Sequence, residues 1–216
     1  MEDNRKIRIS CLGDSITFGL CASNPEKSYP SVLGALLGDG YTVKNFGKSG
    51  ATVINDYEEV PDRYSPYVKS EEYKLAMASQ PDTVILMLGM NDGNPTHHFN
   101  EQNGGEISEY YLSLYKNVLS GMISDIQRLN TSPKVYLVCT TEMTRTVSKI
   151  FSEDYVRNFL SNLEKLREIQ REVANEKNIP IIDTKANMQD PSYYDDGCHL
   201  TDTGYAKLAE CIYRSL

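Results

Sequence analysis

The chain has 216 residues, of which 40% are hydrophobic and 24% are charged, and its formal net charge is −8 at pH 7. This is the composition of a soluble globular protein, and the negative balance, without any run of Lys and Arg, argues against binding to a nucleic-acid phosphate backbone. No apolar run approaches the roughly 18 residues of a membrane span, so we expect one soluble domain over residues 1–216, with neither nucleic acid nor membrane as a partner.

The first six residues are polar and charged, and they lack the apolar segment of a secretory signal. Taken literally this places the protein in the cytoplasm, although a chain from which a signal had been removed would look the same. The five cysteines are odd in number and show no C-x-x-C spacing. We therefore expect reduced thiols, with no disulfide framework, metal site or cofactor.

Short apolar runs alternate with patterns of helical period along the chain. In chain order, the predicted elements are a strand at 7–12, a helix at 29–37, a strand at 41–46, a helix at 71–79, a strand at 83–88, a helix at 111–129, a strand at 135–139, a helix at 156–173, a strand at 179–182 and a helix at 205–212. Pro30 and Gly38 bound the first helix. The strand at 41–46 is weakly apolar, as at a sheet edge, whereas 83–88 is continuously apolar, as in a central strand buried on both faces.

Five strands that alternate with helices predict a mostly parallel sheet with right-handed crossovers. The fold class is therefore α/β, a three-layer α/β/α sandwich, and we expect the flavodoxin-like strand order 2-1-3-4-5. In such sheets ligands bind beyond the carboxyl ends of the strands, at the switch point beside the first strand. That edge is where chemistry is expected.

Four polar clusters follow predicted strands, three of them directly and the fourth in the loop after the last strand. They are Gly13-Asp14-Ser15, Lys48-Ser49-Gly50, Gly89-Met90-Asn91-Asp92 and Asp196-Gly197-Cys198-His199. Because the carboxyl ends of parallel strands share one edge, residues more than 180 positions apart are expected to converge there.

The clusters contain the groups that acyl transfer needs. A serine such as Ser15 is a weak nucleophile until an adjacent base takes its proton. His199 is the candidate base, and Asp196, three residues earlier, is placed to orient the imidazole and stabilise its charged form. Donors for the oxyanion are predicted to be the Asn91 side chain and the backbone N–H groups of Gly50 and Ser15.

Each cluster alone also has a simpler structural explanation. Gly-Asp-Ser is common in turns, Asn-Asp after a strand often begins a loop, and Thr201 would serve as the N-cap of the last helix. Together, each after a different strand and with complementary chemistry, the clusters favour catalysis. Asp14 and Asp92, inside two of them, are predicted to support the site.

The four clusters resemble the conserved blocks of the SGNH hydrolases, also called GDSL-type esterases and lipases. The matching segments are Gly13-Asp14-Ser15, Asn45-Phe46-Gly47-Lys48-Ser49-Gly50, Gly89-Met90-Asn91-Asp92 and Asp196-Gly197-Cys198-His199-Leu200. The resemblance covers nearly the whole chain. It implies that Ser15 is the nucleophile, that Asp196 and His199 complete a triad, and that Gly50 and Asn91 donate to the oxyanion. The spacing of Tyr73 and Pro81-Asp82 looks most similar to bacterial sialate O-acetylesterases.

Two long polar segments, 54–70 and 94–107, are expected to shape specificity, because loops of this length near an active edge often do. Candidate pocket residues are Tyr57, His97, His98 and Tyr194. For each tyrosine, half-burial in packing is the simpler alternative. For the adjacent histidines a solvated pair is favoured over metal binding, since zinc needs three or four spaced ligands.

The leading hypothesis is a serine esterase that hydrolyses short-chain, O-acetyl esters through an acyl-enzyme on Ser15. The resemblance suggests a carbohydrate ester, while the residues support only a small acyl ester on a small molecule or oligosaccharide. The alternatives are a lysophospholipase or thioesterase on the same triad, an O-acetyltransferase, and a non-catalytic sugar-binding module. The sequence does not fix the oligomeric state.

Overall fold

The structure is a computed structural model that describes residues 5–57, 63–144 and 151–216. The strands are β1 (Ile7–Gly13), β2 (Tyr41–Gly47), β3 (Ala51–Thr52), β4 (Ser65–Pro66), β5 (Thr83–Met87), β6 (Lys134–Val138) and β7 (Ile181–Ile182). The helices are α1 (Ser15–Phe18), α2 (Tyr29–Leu37), α3 (Glu71–Ala78), α4 (His98–Glu101), α5 (Glu109–Gln127), α6 (Glu153–Glu176) and α7 (Asp202–Tyr213).

Five of the strands form a single parallel sheet in the order β2-β1-β5-β6-β7. Counted along the sheet strands alone, this is the predicted order 2-1-3-4-5, and the α/β fold class is confirmed. The register pairs Gly13 at the end of β1 with Gly47 on one side and Met87 on the other. The ends of β1, β2 and β5 therefore lie level, at the edge where the polar clusters follow.

Helices cover both faces of the sheet. α2 and α7 pack on one face against Ile85 and Met87 of β5. α3 and α5 pack on the other, against Val84 and Leu86. All four of these β5 side chains are buried, as predicted for a central strand. β2 pairs with β1 alone in this sheet and lies at its edge, also as predicted.

Several elements differ from the prediction. The two-residue strands β3 and β4 pair in parallel outside the main sheet, and they are too short to leave a period in the sequence. The last strand begins at Ile181 rather than at residue 179, since Pro180 has no N–H for the ladder. In the described ranges no helix is long and apolar enough to cross a membrane.

Asn162 is a fully buried polar residue on α6 that ties a loop to the helix. Its amide group donates to the carbonyl oxygens of Gly93 and Gly105 at 3.0 Å, and its oxygen accepts from Ile107 N–H at 2.9 Å.

The isosteric change Asn162→Leu should lower the free energy of unfolding by about 2–4 kcal/mol, because three backbone groups lose their partner. Denaturant unfolding checks this, with the exposed Ser161→Ala as control; equal stabilities would contradict it.

Candidate active site

A tight turn at the end of β1 positions Ser15 at the first residue of α1. A β-carbon at Gly13 would lie 2.1 Å from Thr17 Oγ1 and 2.4 Å from the Met87 carbonyl oxygen, so the turn requires glycine there. Asp14 is the N-cap and accepts a 2.9 Å hydrogen bond from the Ile16 N–H. The chain thus leaves the sheet and enters the helix within two residues, which fixes the direction of the serine.

Ser15, His199 and Asp196 form a continuous chain of hydrogen bonds. Ser15 Oγ lies 2.9 Å from His199 Nε2, and His199 Nδ1 lies 2.7 Å from Asp196 Oδ2. The second oxygen of Asp196 accepts from the backbone N–H groups of Cys198 and His199, at 2.9 and 2.8 Å. These two bonds hold the carboxylate still while its other oxygen faces the imidazole.

The charges around His199 favour its protonated form. Burial alone would lower the pKa of the imidazole, but the hydrogen bond to Asp196 and the charges of Asp196, Asp14 and Asp195 outweigh burial and raise it. Burial opposes ionisation of Asp196 as well, yet its hydrogen bonds to His199 and to the Cys198 amide lower its pKa to about 2. Near neutral pH, Asp196 is therefore an anion that stabilises an imidazolium.

The same loop also contains the expected helix cap. Thr201 is the N-cap of α7, and its hydroxyl accepts from the Gly204 N–H. Segment 196–201 therefore both caps a helix and contributes to the candidate site, because Thr201 serves as the cap while Asp196 and His199 continue the chain of hydrogen bonds from Ser15.

Gly50 lies at the turn between β2 and β3, with φ at +75°. Its carbonyl oxygen accepts from Ser65 N–H at 3.1 Å, which anchors the turn to β4. A β-carbon at this position would lie 1.9 Å from the Arg63 carbonyl oxygen, so another residue would displace the loop. Among the described residues no acceptor occupies the N–H groups of Gly50 or Ser15, and both residues line the same cleft.

Asn91 and Asp92 join the loop after β5 to the loop after β3. Asn91 donates from its side-chain nitrogen to the Ala51 carbonyl oxygen at 2.8 Å, which leaves one amide hydrogen for another acceptor. Asp92 is fully buried and accepts from the N–H groups of Val53 and Ile54, at 3.1 and 2.8 Å. Burial raises its pKa to about 7, against the lowering effect of those amides.

Asp14 and Asp92 are thus buried carboxyl groups behind the site rather than in it. Burial raises the pKa of Asp14 to about 6, against the lowering effect of the Ile16 amide and the His199 charge. Asp14 accepts from the N–H of Ile16, the residue after Ser15, and Asp92, the residue after Asn91, accepts from two N–H groups of the segment after β3. A supporting function for the two carboxyl groups stays a prediction.

The three triad residues, together with Gly50 and Asn91, border a cleft of about 470 Å³. Its described lining is Ser15, Leu20, Ser49, Gly50, Arg63, Tyr64, Met90, Asn91, Asn94, Met143, Phe151, Tyr155, Phe159, Asp196, Cys198 and His199. Four aromatic rings, those of Tyr64, Phe151, Tyr155 and Phe159, belong to this lining. The cleft therefore combines a reactive centre with a partly aromatic wall.

The pocket candidates from the sequence lie elsewhere. His97 is fully buried and packs against Phe99, with ring centres 3.7 Å apart, and burial beside His98 and Arg63 lowers its pKa to about 3. Tyr57 and His98 contact the same aromatic cluster. The Tyr194 hydroxyl donates to the Met188 carbonyl oxygen at 2.8 Å in a buried position.

The aromatic residues of the cleft wall, among them Tyr64, Tyr155 and Phe159, were not predicted as site residues from the sequence. Tyr155 and Phe159 belong to the first turns of α6, where the buried stripe of that helix begins. Tyr64 lies in a segment that was expected to shape specificity, without being chosen. A usable signal was present, because a helix that follows a parallel strand starts near the carboxyl edge of the sheet.

One group of side chains in the described ranges has metal-ligand chemistry. Cys21, Asp196 and His199 place ligand atoms within 4.8 Å of one another, although Cys21 is remote in sequence from the other two.

Comparison with known proteins gives concordant results. The profile of the GDSL-like lipase/acylhydrolase family matches residues 11–207. An acetylxylan esterase of Xylanibacter ruminicola is 32% identical over 218 residues, covering 95% of this chain and 42% of that protein. The chain thus spans less than half the length of this relative.

Solved structures share the fold along the whole chain. A lipase/acylhydrolase from Enterococcus faecalis superimposes with a TM-score of 0.71 at 21% identity, covering 97% of this chain and 94% of that one. A carbohydrate acetylesterase from Sinorhizobium meliloti gives a TM-score of 0.71 at 19% identity, covering 97% and 98%.

Proposed function

The chain belongs to the GDSL-like lipase/acylhydrolase family, and on that premise we propose that it is a serine esterase that removes acetyl groups from carbohydrate esters. The observation that carries the proposal is the chain of hydrogen bonds from Ser15 through His199 to Asp196 at the cleft. Residues 1–216 are proposed to form one catalytic domain.

In the first half of the reaction, Ser15 Oγ attacks the carbonyl carbon of the ester while His199 Nε2 takes the hydroxyl proton. The carbonyl π electrons move to oxygen and give a tetrahedral oxyanion. When the oxyanion collapses, His199 returns the proton to the sugar oxygen, and the alcohol leaves. Asp196 stabilises the imidazolium between these two proton transfers.

In the second half, water attacks the acetyl-serine, and His199 takes a proton from that water. Collapse of the second tetrahedral oxyanion breaks the bond to Ser15 Oγ, which takes the proton from His199, and releases acetic acid, which loses its own proton to solvent as acetate forms. Gly50 N–H, Ser15 N–H and the Asn91 amide are proposed to donate to both oxyanions, since all three residues border the cleft.

The acetyl and carbohydrate assignments are supported by a relative and by the cleft wall. The relative that is 32% identical is named an acetylxylan esterase. In the wall, Asn94 donates to the Tyr64 hydroxyl at 2.8 Å and accepts from the Tyr155 hydroxyl at 3.2 Å. The two rings are thereby held in place, and fixed aromatic rings with polar tips suit the face of a sugar.

The substrate is tested by comparing acetylated xylo-oligosaccharides with p-nitrophenyl esters of two and eight carbons. We expect acetate release from the oligosaccharides, and a higher kcat/KM for the two-carbon than for the eight-carbon ester. A preference for eight carbons or more would reject the deacetylase in favour of a lysophospholipase or thioesterase. Transfer of acetyl to added sugar, detected by product mass, would instead identify an acetyltransferase.

Replacing Asn91 by alanine is expected to lower kcat by about 10²–10³-fold with a small change in KM, because an oxyanion donor acts mainly in the transition state. Steady-state kinetics on p-nitrophenyl acetate measure the effect. Asn103→Ala, which changes an exposed asparagine, is the control. An Asn91→Ala enzyme with kcat within threefold of wild type would remove Asn91 from the proposed oxyanion site. Thermal unfolding of each variant separates this effect from loss of the bond to Ala51.

A further inference from the structure

An exposed thiol lies beside the acid and base of the proposed triad. Cys21 is in the turn after α1, and its sulfur lies within 4.8 Å of a carboxylate oxygen of Asp196 and of a ring nitrogen of His199. Neither the proposed esterase mechanism nor the family motifs use this side chain.

The turn that carries Cys21 is fixed on both sides. Tyr205 donates from its hydroxyl to the Leu20 carbonyl oxygen at 2.6 Å. On the other side, Asp202 accepts from the N–H and the hydroxyl of Ser23, at 2.9 and 2.6 Å. Both anchors lie on α7, which directly follows the loop of Asp196 and His199. Little conformational freedom would therefore be lost on binding a ligand between turn and loop.

We propose that Cys21, Asp196 and His199 form an inhibitory binding site for a thiophilic divalent cation such as Zn²⁺ or Cd²⁺. Thiolate, carboxylate and imidazole are the ligands that zinc prefers, and three of them leave the fourth tetrahedral position to water. Tetrahedral zinc bonds of about 2.0–2.3 Å place ligand atoms roughly 3.3–3.6 Å apart. Small side-chain rotations bridge the difference from the observed separations of up to 4.8 Å.

The local charge favours a cation. Asp195 lies near this turn, so a second carboxylate adds its negative charge to that of Asp196 beside the Cys21 thiol. A dication bound at this position would be attracted by both carboxylates, and the proton of the Cys21 thiol would pass to solvent as the sulfur bonds to the metal.

Binding would stop proton transfer whichever nitrogen of His199 is used. Nε2 faces the Ser15 hydroxyl, and Nδ1 faces the Asp196 carboxylate. A bond from either nitrogen to a cation removes one of these two hydrogen bonds. The imidazole then no longer accepts the serine proton in the required orientation.

The test compares wild type with Cys21→Ala under titration with zinc chloride and cadmium chloride. We expect micromolar Zn²⁺ to inhibit hydrolysis of p-nitrophenyl acetate by the wild type, with full recovery after EDTA. Cys21→Ala should keep its activity without metal and need at least tenfold more Zn²⁺ for the same inhibition. Equal inhibition of both proteins would overturn the proposal.

Two controls locate the effect. Cys211→Ala changes a cysteine outside the cluster and should be inhibited like wild type. Mg²⁺, which prefers oxygen ligands, should not inhibit at the same concentration. Metal binding is also measured independently of esterase activity, by the ultraviolet absorption band of a cadmium–thiolate bond. This band should be absent in Cys21→Ala. A band that persists in Cys21→Ala would refute the site even if the protein proved not to be an esterase.

Discussion

Replacement of Ser15 by alanine is expected to lower kcat by about 10⁶-fold and to leave the fold unchanged. The oxygen that this change removes is the only group of residue 15 that faces His199, at 2.9 Å. Loss of the nucleophile of a hydrolytic triad has an effect of this size, because the residual rate comes from the oxyanion donors and substrate binding alone. Single-turnover kinetics on p-nitrophenyl acetate measure it.

Ser49→Ala is the matched control for this change. Ser49 borders the same cleft, without a hydrogen bond to His199 in the structure, so its replacement should alter kcat by less than about threefold. An organophosphonate probe provides an independent readout, because it should label wild type and Ser49→Ala but not Ser15→Ala. Full activity or full labelling of Ser15→Ala would assign the nucleophile elsewhere, and an unlabelled wild type would favour the non-catalytic sugar-binding module.

The convergence of distant residues was predictable because two rules act together. Continuous apolar runs identify the buried strands, and parallel strands end at a common edge. Residues 15 and 199, which lie 184 positions apart, were expected to meet there, and the structure brings their side chains within hydrogen-bond distance. The prediction needed no knowledge of loop conformation, since each cluster directly follows a strand or precedes a helix.

The cleft wall was not predictable in the same way. The start of α6 was expected near the carboxyl edge of the sheet, but the helical period does not reveal that Tyr155 and Phe159 line the cleft as well as packing against the core. His97 illustrates the opposite error. A polar loop suggested a solvent-exposed side chain, but the ring is fully buried against Phe99 and Tyr64.

Buried polar contacts were also beyond the reach of the sequence. Asp92 binds the N–H groups of Val53 and Ile54, and these pairings depend on how two loops pack together. Cys21 approaches Asp196 only because its turn is anchored to α7 by two side chains. Local propensity carries no information on such long-range contacts, so the proximity of Cys21 to Asp196 and His199 could not be predicted.

Replacement of Asp196 by asparagine is expected to lower kcat by about 10⁴-fold, the second large effect. The amide would still reach His199 Nδ1, now 2.7 Å from the carboxylate. It would, however, neither stabilise the imidazolium nor hold the tautomer that leaves Nε2 free to accept the serine proton. Asp195→Asn is the control. It neutralises the adjacent carboxylate but keeps the backbone hydrogen bond from Asp195 N–H to the His199 carbonyl oxygen, and it should lower kcat by less than about tenfold. An equal decrease in kcat in the two variants would mean that Asp196 acts only through its negative charge in the loop, and not through its hydrogen bond to His199.

The pH dependence of kcat/KM gives the same variant a second signature. Esterase activity needs neutral His199, so the rate of wild type should rise with pH through the pKa of that imidazole in the free enzyme. Asp196 raises this pKa above its usual 6.5, against the lowering effect of burial. Without the carboxylate, burial remains, and the midpoint of the ascending limb should move to lower pH in Asp196→Asn. Asp195 also raises the pKa of His199, but it contributes less than Asp196 does. Asp195→Asn should therefore shift the midpoint in the same direction by a smaller amount. A midpoint that stayed in place in Asp196→Asn would show that the titrating group is not His199, because Asp196 is the carboxylate that forms an ion pair with its ring in the part of the chain that the structure describes.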